Sequence, residues 1–120
     1  VASYTALELA TEARQALDRF WFLTHITEAS HGEGDYTARL HIQPGVFVQL
    51  FLGNHTHALY IALIRNDRRM LGLDFVAGAW HMHPLEDPVS HQMLADGWGP
   101  RPLMAFLSRV EAILIDEGLI

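Results

Sequence analysis

Hydrophobic residues recur along this chain with two different periods, and the switches between them divide it into elements. Ala6, Leu9, Ala13, Ala16, Leu17 and Phe20 fall at three- and four-residue steps with Glu8, Glu12, Arg14 and Asp18 between them, the stripe of an amphipathic helix over residues 4–19. Ser3 and Thr5 are the candidate caps, and acids near the start with arginines near the end suit the helix dipole. Over residues 20–28 aromatic and β-branched side chains (Trp21, Thr24, Ile26, Thr27) change the reading to strand, and a Gly-rich turn over 30–35 follows. Residues 36–42 then alternate, with Tyr36, Ala38, Leu40 and Ile42 on one face and Thr37, Arg39 and His41 on the other, as a half-exposed antiparallel strand does.

Pro44-Gly45 turns the chain into residues 46–52, where Val46, Val48, Leu50 and Leu52 oppose Phe47 and Phe51. Apolar residues on both faces predict a central strand covered on both sides. Gly53-Asn54 turns the chain again, residues 56–64 and 68–76 read as two more strands, and Asn66-Asp67 is their connection. With a two-residue loop there, Arg65 opposes Arg68, Leu59 opposes Asp74 and Tyr60 opposes Leu73. After a break over 97–102, Pro102 starts a helix through Leu103, Phe106, Leu107, Val110, Ile113 and Leu114 that Gly118 ends. The pattern predicts one α+β domain over residues 1–120: an antiparallel meander of about five strands flanked by an N-terminal and a C-terminal helix. The apolar second face of strands 46–52 and 56–64 then needs a cover, either the long loop that follows or another copy of the chain, so a homodimer through this face is expected.

At 120 residues, 50% of them hydrophobic, the chain is long enough for one packed core. Its apolar runs are interrupted before the roughly 18 to 20 residues of a membrane span, and its first residues lack a signal-peptide layout, so no membrane partner and a cytoplasmic location are expected. There is no cysteine, which excludes disulfides and thiolate chemistry and leaves His and carboxylates as metal ligands. A net charge of -6 argues against nucleic-acid binding by bulk electrostatics. The charge is uneven, however. Residues 54–101 carry four Arg against five acids, together with His55, His57, His81, His83 and His91, so this middle is locally neutral or positive when histidines are protonated.

Candidate chemistry concentrates in Gly78-Ala79-Trp80-His81-Met82-His83-Pro84-Leu85-Glu86-Asp87-Pro88-Val89-Ser90-His91, expected to leave the sheet as an ordered loop pinned by two prolines. Three readings of His81, His83 and His91 stay open. One imidazole acts as general base and another as general acid, with Arg68 or Arg69 as the cation on a phosphorane; this needs no cofactor and suits RNA cleavage by its own 2′-hydroxyl. Alternatively, His81 and His83 share one side of an extended segment and bind a divalent metal such as zinc, with His91, Asp87 or Glu86 completing the set. In the third reading the histidines only tie the loop down, with Trp80 as its packing anchor. The start His81-Met82-His83-Pro84 is similar to the zinc-isopeptidase signature of the JAMM type, but Ser90 falls one position early and Met93 stands where that signature has Asp. Asp74 reads as a surface partner of Arg68 or Arg69, with the orienting of a histidine as its alternative; His25, His31, His41, His55 and His57 read as exposed.

The run Tyr60, Ala62-Leu63-Ile64, Arg68-Arg69, Leu71-Gly72-Leu73-Asp74, Trp80-His81-Met82-His83-Pro84-Leu85, Pro88 and His91 resembles the TumE-like family, small prokaryotic proteins assigned as toxins of type II toxin-antitoxin pairs. The family's paired histidines are commonly adjacent, whereas Met82 separates them here. The resemblance implies a cytoplasmic toxin with a cognate antitoxin as partner. Together with the acid-base reading of the histidines, the expected function is that of a ribonuclease toxin; the competing class is a non-enzymatic homodimeric binding domain.

Overall fold

A helix lies near each end of the chain, and the strands between the two form one sheet. The computed structural model describes residues 4–31, 34–83, 92–94 and 101–120. Its elements are α1 (Ala6–Arg19), β1 (His25–His31), β2 (Asp35–Gln43), β3 (Val46–Leu52), β4 (Leu59–Arg65), β5 (Arg68–Val76), β6 (Ala79–His83), β7 (Gln92–Leu94) and α2 (Pro102–Asp116). The strands lie side by side in chain order, each antiparallel to the next. This is the expected α+β meander, extended beyond five strands: β6 makes a sixth and the three-residue β7 closes the edge.

Both helices cover the same face of the sheet. α1 lies against β1 and β2, α2 against β4, and the helices touch each other. One core results, in which Leu9, Leu40, Leu50, Ile61, Leu63, Leu73, Phe106 and Leu107 are fully buried. Truncating any of these leucines to Ala is worth ~2–5 kcal/mol.

Local chemistry sets the helix ends. Thr5 caps α1 in a capping box: its Oγ1 accepts from the Glu8 N–H at 3.1 Å, and the Glu8 carboxylate accepts from the Thr5 N–H at 3.2 Å. α2 begins at Pro102 and has Arg101 at its N-cap, a side chain that cannot accept a hydrogen bond. A carboxylate from the other helix takes that role. Glu12 is buried, and its Oε2 accepts from the Met104 N–H at 2.7 Å, while Oε1 accepts from the Tyr4 hydroxyl. An anion there also meets the positive end of the α2 dipole. At the far end, the Gly118 N–H donates to the Ile115 carbonyl at 3.1 Å and the Leu119 N–H to the Leu114 carbonyl at 2.8 Å. Gly118 has φ +70° there, a value that glycine adopts without strain.

Two features of the sheet depart from the pattern read along the chain. Asn66 and Asp67 do form a two-residue turn with both φ positive, and Arg65 faces Arg68. The register then shifts between Leu63 and Ile64, so that Leu63 faces Leu71 and Met70 is the extra residue. As a result Leu59 opposes Phe75 rather than Asp74, and Tyr60 opposes Asp74 rather than Leu73. The second departure is a hairpin at Ala77-Gly78, whose φ values of 52° and 78° mark another two-residue turn. It folds Ala79–His83 back as β6, so this part of the expected loop is a strand. β3 is also covered less than expected. Val46, Val48, Leu50 and Leu52 are buried, while Phe47, Gln49 and Phe51 on its second face are only partly so.

Candidate functional site

The β5–β6 hairpin assembles a group of polar side chains on the face of the sheet opposite the helices. Directly paired residues share a face, and the register runs Phe51–Tyr60–Asp74–His81 in one row and Gln49–Ala62–Gly72–His83 in the next. His81 and His83 therefore point the same way, two residues apart on one strand. His83 is only 4% exposed, and its Nε2 lies 2.8 Å from Asp74 Oδ2. A carboxylate only accepts, so the Nε2–H is the donor of this hydrogen bond. Among the described residues, His83 and Glu12 are the buried polar side chains. His81 is half-buried, directly across from Asp74.

Gly72 makes room for this arrangement. A methyl group on it would stand 3.0 Å from Arg69 Cδ and 3.4 Å from both Cβ and Cδ2 of His83. Arg69 thus runs along the second face beside His83. Arg68 does not: it pairs with Arg65, which pairs with Val46 on the helix-covered face, and it is exposed at the end of its hairpin. Of the two candidate cations the fold brings only Arg69 to the histidines. Asp74, expected to pair with Arg68 or Arg69 at the surface, instead holds His83. The bulge at Met70 takes Asp74 off the face of Arg68, and the β5–β6 pairing sets it beside the histidines.

His91, Glu86, Asp87 and Ser90 lie outside the described residues, as does the proline-pinned part of the loop. Among the described residues no group of three or more His, Asp or Glu side chains is placed to hold a metal ion. Of the residues named for a zinc site, His81 and His83 do share one side. Trp80 is partly buried at the edge of the core and packs on Phe75, with ring centroids 4.7 Å apart.

The remaining histidines separate. His55 and His57 are exposed in the turn between β3 and β4, where His57 has φ 57°. His25 and His41 are paired across β1 and β2, their rings stacked 4.2 Å apart and 4° from parallel, with Thr27 Oγ1 3.0 Å from His41 Nε2. Partial burial, then the neighbouring His25 and Arg39, hold His41 below the usual imidazole range.

Sequence reasoning ranked Asp74 first as a surface partner of arginine and only second as the orienter of a histidine, the role it takes here, and it missed Tyr60 and Phe51 as neighbours of the site. The signal was present in the spacing. With Ala77-Gly78 as a two-residue turn, Val76 faces Ala79 and counting outward sets Asp74 opposite His81. No family model, curated protein or solved structure matches the chain.

Proposed function

We propose that this chain is the toxin of a type II toxin-antitoxin pair and acts in the cytoplasm as a ribonuclease. The observation that carries the reading is the buried His83–Asp74 pair, at 2.8 Å, beside His81 and Arg69 on the face away from the helices. Two imidazoles and a guanidinium are the groups that cleavage of RNA by its own 2′-hydroxyl requires. One imidazole takes the 2′-hydroxyl proton as O2′ bonds to phosphorus. The other protonates the departing 5′-oxygen as the P–O5′ bond breaks, leaving a 2′,3′-cyclic phosphate and a 5′-hydroxyl. Asp74 fixes the ring and tautomer of His83, and Arg69 neutralises charge on the phosphorane.

The resemblance of residues 60–91 to the TumE-like family supports the toxin part of the reading and makes a cognate antitoxin the partner. The test is expression of the chain alone. Growth should stop, His81→Ala or His83→Ala should restore it, and the product of the neighbouring gene should relieve the arrest. Unimpaired growth with the folded chain at high level refutes the toxin reading.

A non-enzymatic alternative rests on the second face of the sheet, where Phe47, Phe51 and Ile64 are only partly buried and Tyr60 is exposed. A symmetric dimer through that face would bury them. Sedimentation of the purified chain separates the two, since the ribonuclease reading needs no second copy.

A further inference from the structure

We infer that the face of the sheet away from the helices is a platform for single-stranded RNA, on which Phe51 and Tyr60 stack a nucleobase beside His81 and His83. The inference rests on the ribonuclease reading for the choice of RNA. Its own support is the placement of rings and charges.

Phe51 and Tyr60 are paired across β3 and β4, with ring centroids 6.0 Å apart, and Tyr60 is 41% exposed. Tyr60 stands directly opposite Asp74, and Asp74 opposite His81. The platform is thus two strand spacings from His81, roughly 10 Å. Further ring faces follow on the same side. The Arg39 guanidinium lies over the Phe47 ring, 4.4 Å from its centroid, and His41 is 6.2 Å from Phe47 and stacked on His25. Rings and a guanidinium in succession across a sheet face are what unpaired bases stack on, and the stacking is tolerant of sequence because every base has a π-face.

Charge does not oppose this occupant. The chain carries a net charge of -6, yet the described strand residues of this face carry Arg39 and Arg69 beside the imidazoles of His25, His41, His81 and His83. Two acids share this face among the described strand residues. Asp74 is held by His83, and Asp35 at the end of the sheet accepts the Asn54 N–H at 2.7 Å. A polyanion meets little repulsion here. A duplex keeps its bases stacked inside, so the rings select a single strand.

The experiment is fluorescence anisotropy with a twelve-nucleotide 2′-O-methyl RNA, which binds but has no 2′-hydroxyl to react. Wild type should bind the single strand more tightly than the duplex of the same sequence. Tyr60→Ala should weaken binding by about five-fold to a hundredfold, the range of one lost base stack, and Tyr60→Phe should bind as wild type. Arg39→Gln should lower the slope of log affinity against log salt by about 0.7 if Arg39 meets a phosphate. Should Tyr60→Ala unfold, Tyr60→Leu, apolar but without a ring, carries the same expectation.

Equal affinity for the duplex, undiminished affinity in the ring-less variant, or a wild-type dimer that Tyr60→Ala dissociates would overturn the inference. If wild type binds as expected but leaves unmodified RNA intact, the ribonuclease reading fails and this one stands. If RNA is cleaved and the ring-less variant keeps the wild-type KM, this one fails and the ribonuclease reading stands.

Discussion

Replacing Asp74 separates a catalytic His83–Asp74 pair from a structural tie, because two substitutions at the same position remove different parts of it. Asp74→Ala deletes the acceptor 2.8 Å from Nε2 of a histidine that is 4% exposed. Leaving that N–H buried without its acceptor costs ~1–3 kcal/mol. The Asp74 side chain is itself 17% exposed, so water can partly replace it and the lower half of the range is expected. Asp74→Asn keeps shape and a carbonyl oxygen that accepts the same hydrogen bond, so its cost should stay under ~1 kcal/mol. It removes the negative charge, and the amide can present its NH2 and so favour the other tautomer of His83. Loss of a working acid-base group is worth ~10²- to 10⁴-fold in rate.

The assay is paired: urea unfolding with an unchanged m-value, and the initial rate of RNA cleavage. Asp74→Asn should melt close to wild type yet lose at least about a hundredfold in rate, with Asp74→Ala losing both stability and activity. Wild-type cleavage by Asp74→Asn, alongside a destabilised Asp74→Ala, would make the pair a structural tie and refute its catalytic role.

Three further outcomes follow from the fold. Glu12→Ala should cost ~2–4 kcal/mol in urea unfolding, because the Met104 N–H and the Tyr4 hydroxyl both lose a buried acceptor; a loss under ~0.5 kcal/mol would show that Glu12 does not cap α2. Ala77 sits at φ 52°, where an L-residue is strained by ~1–2 kcal/mol. Ala77→Gly should therefore raise the urea midpoint, whereas a lowered midpoint would argue against the β5–β6 hairpin. Stability should also fall on acidification. His41 is held below the usual imidazole range, so its contribution is complete above pH ~6.5 and is lost as the pH falls toward its folded pKa. The Tyr36 hydroxyl, then Arg14, holds the Glu28 carboxyl below its usual range, so its share is present above pH ~4.5 and lost as the pH falls through its folded pKa. Urea midpoints at pH 8, 6 and 4 check the sign, and Glu28→Gln should flatten the most acidic step.

The helices and β2 to β5 were legible because each carries a regular apolar pattern, whereas β1, read from composition over 20–28, lies at His25–His31 and takes in the start of the expected turn. Thr5 and Glu8 announce the capping box, Pro102 and Gly118 bracket α2, and β3 and β5 run over the residues their apolar pattern marks out. The site was less legible, for local reasons. Ala77-Gly78 is a weak turn signal because Ala is disfavoured at positive φ, so β6 was read as loop. The bulge at Met70 follows an apolar-polar pattern that an unbroken strand also fits, and it moves every later partner of β5 by one residue. Glu12 looked like an ordinary exposed helix position; its burial depends on where α2 docks, which no spacing within α1 encodes.

The central claim, that this face performs RNA cleavage by acid-base chemistry, is tested most directly by the ends it leaves. Purified chain is incubated with unmodified single-stranded RNA in the presence of a chelator, and the products are analysed for their termini. The account predicts 2′,3′-cyclic phosphates and 5′-hydroxyls, made at a rate that falls at least about a hundredfold in folded His81→Ala and His83→Ala. Intact RNA, or cleavage that both variants retain, would contradict it.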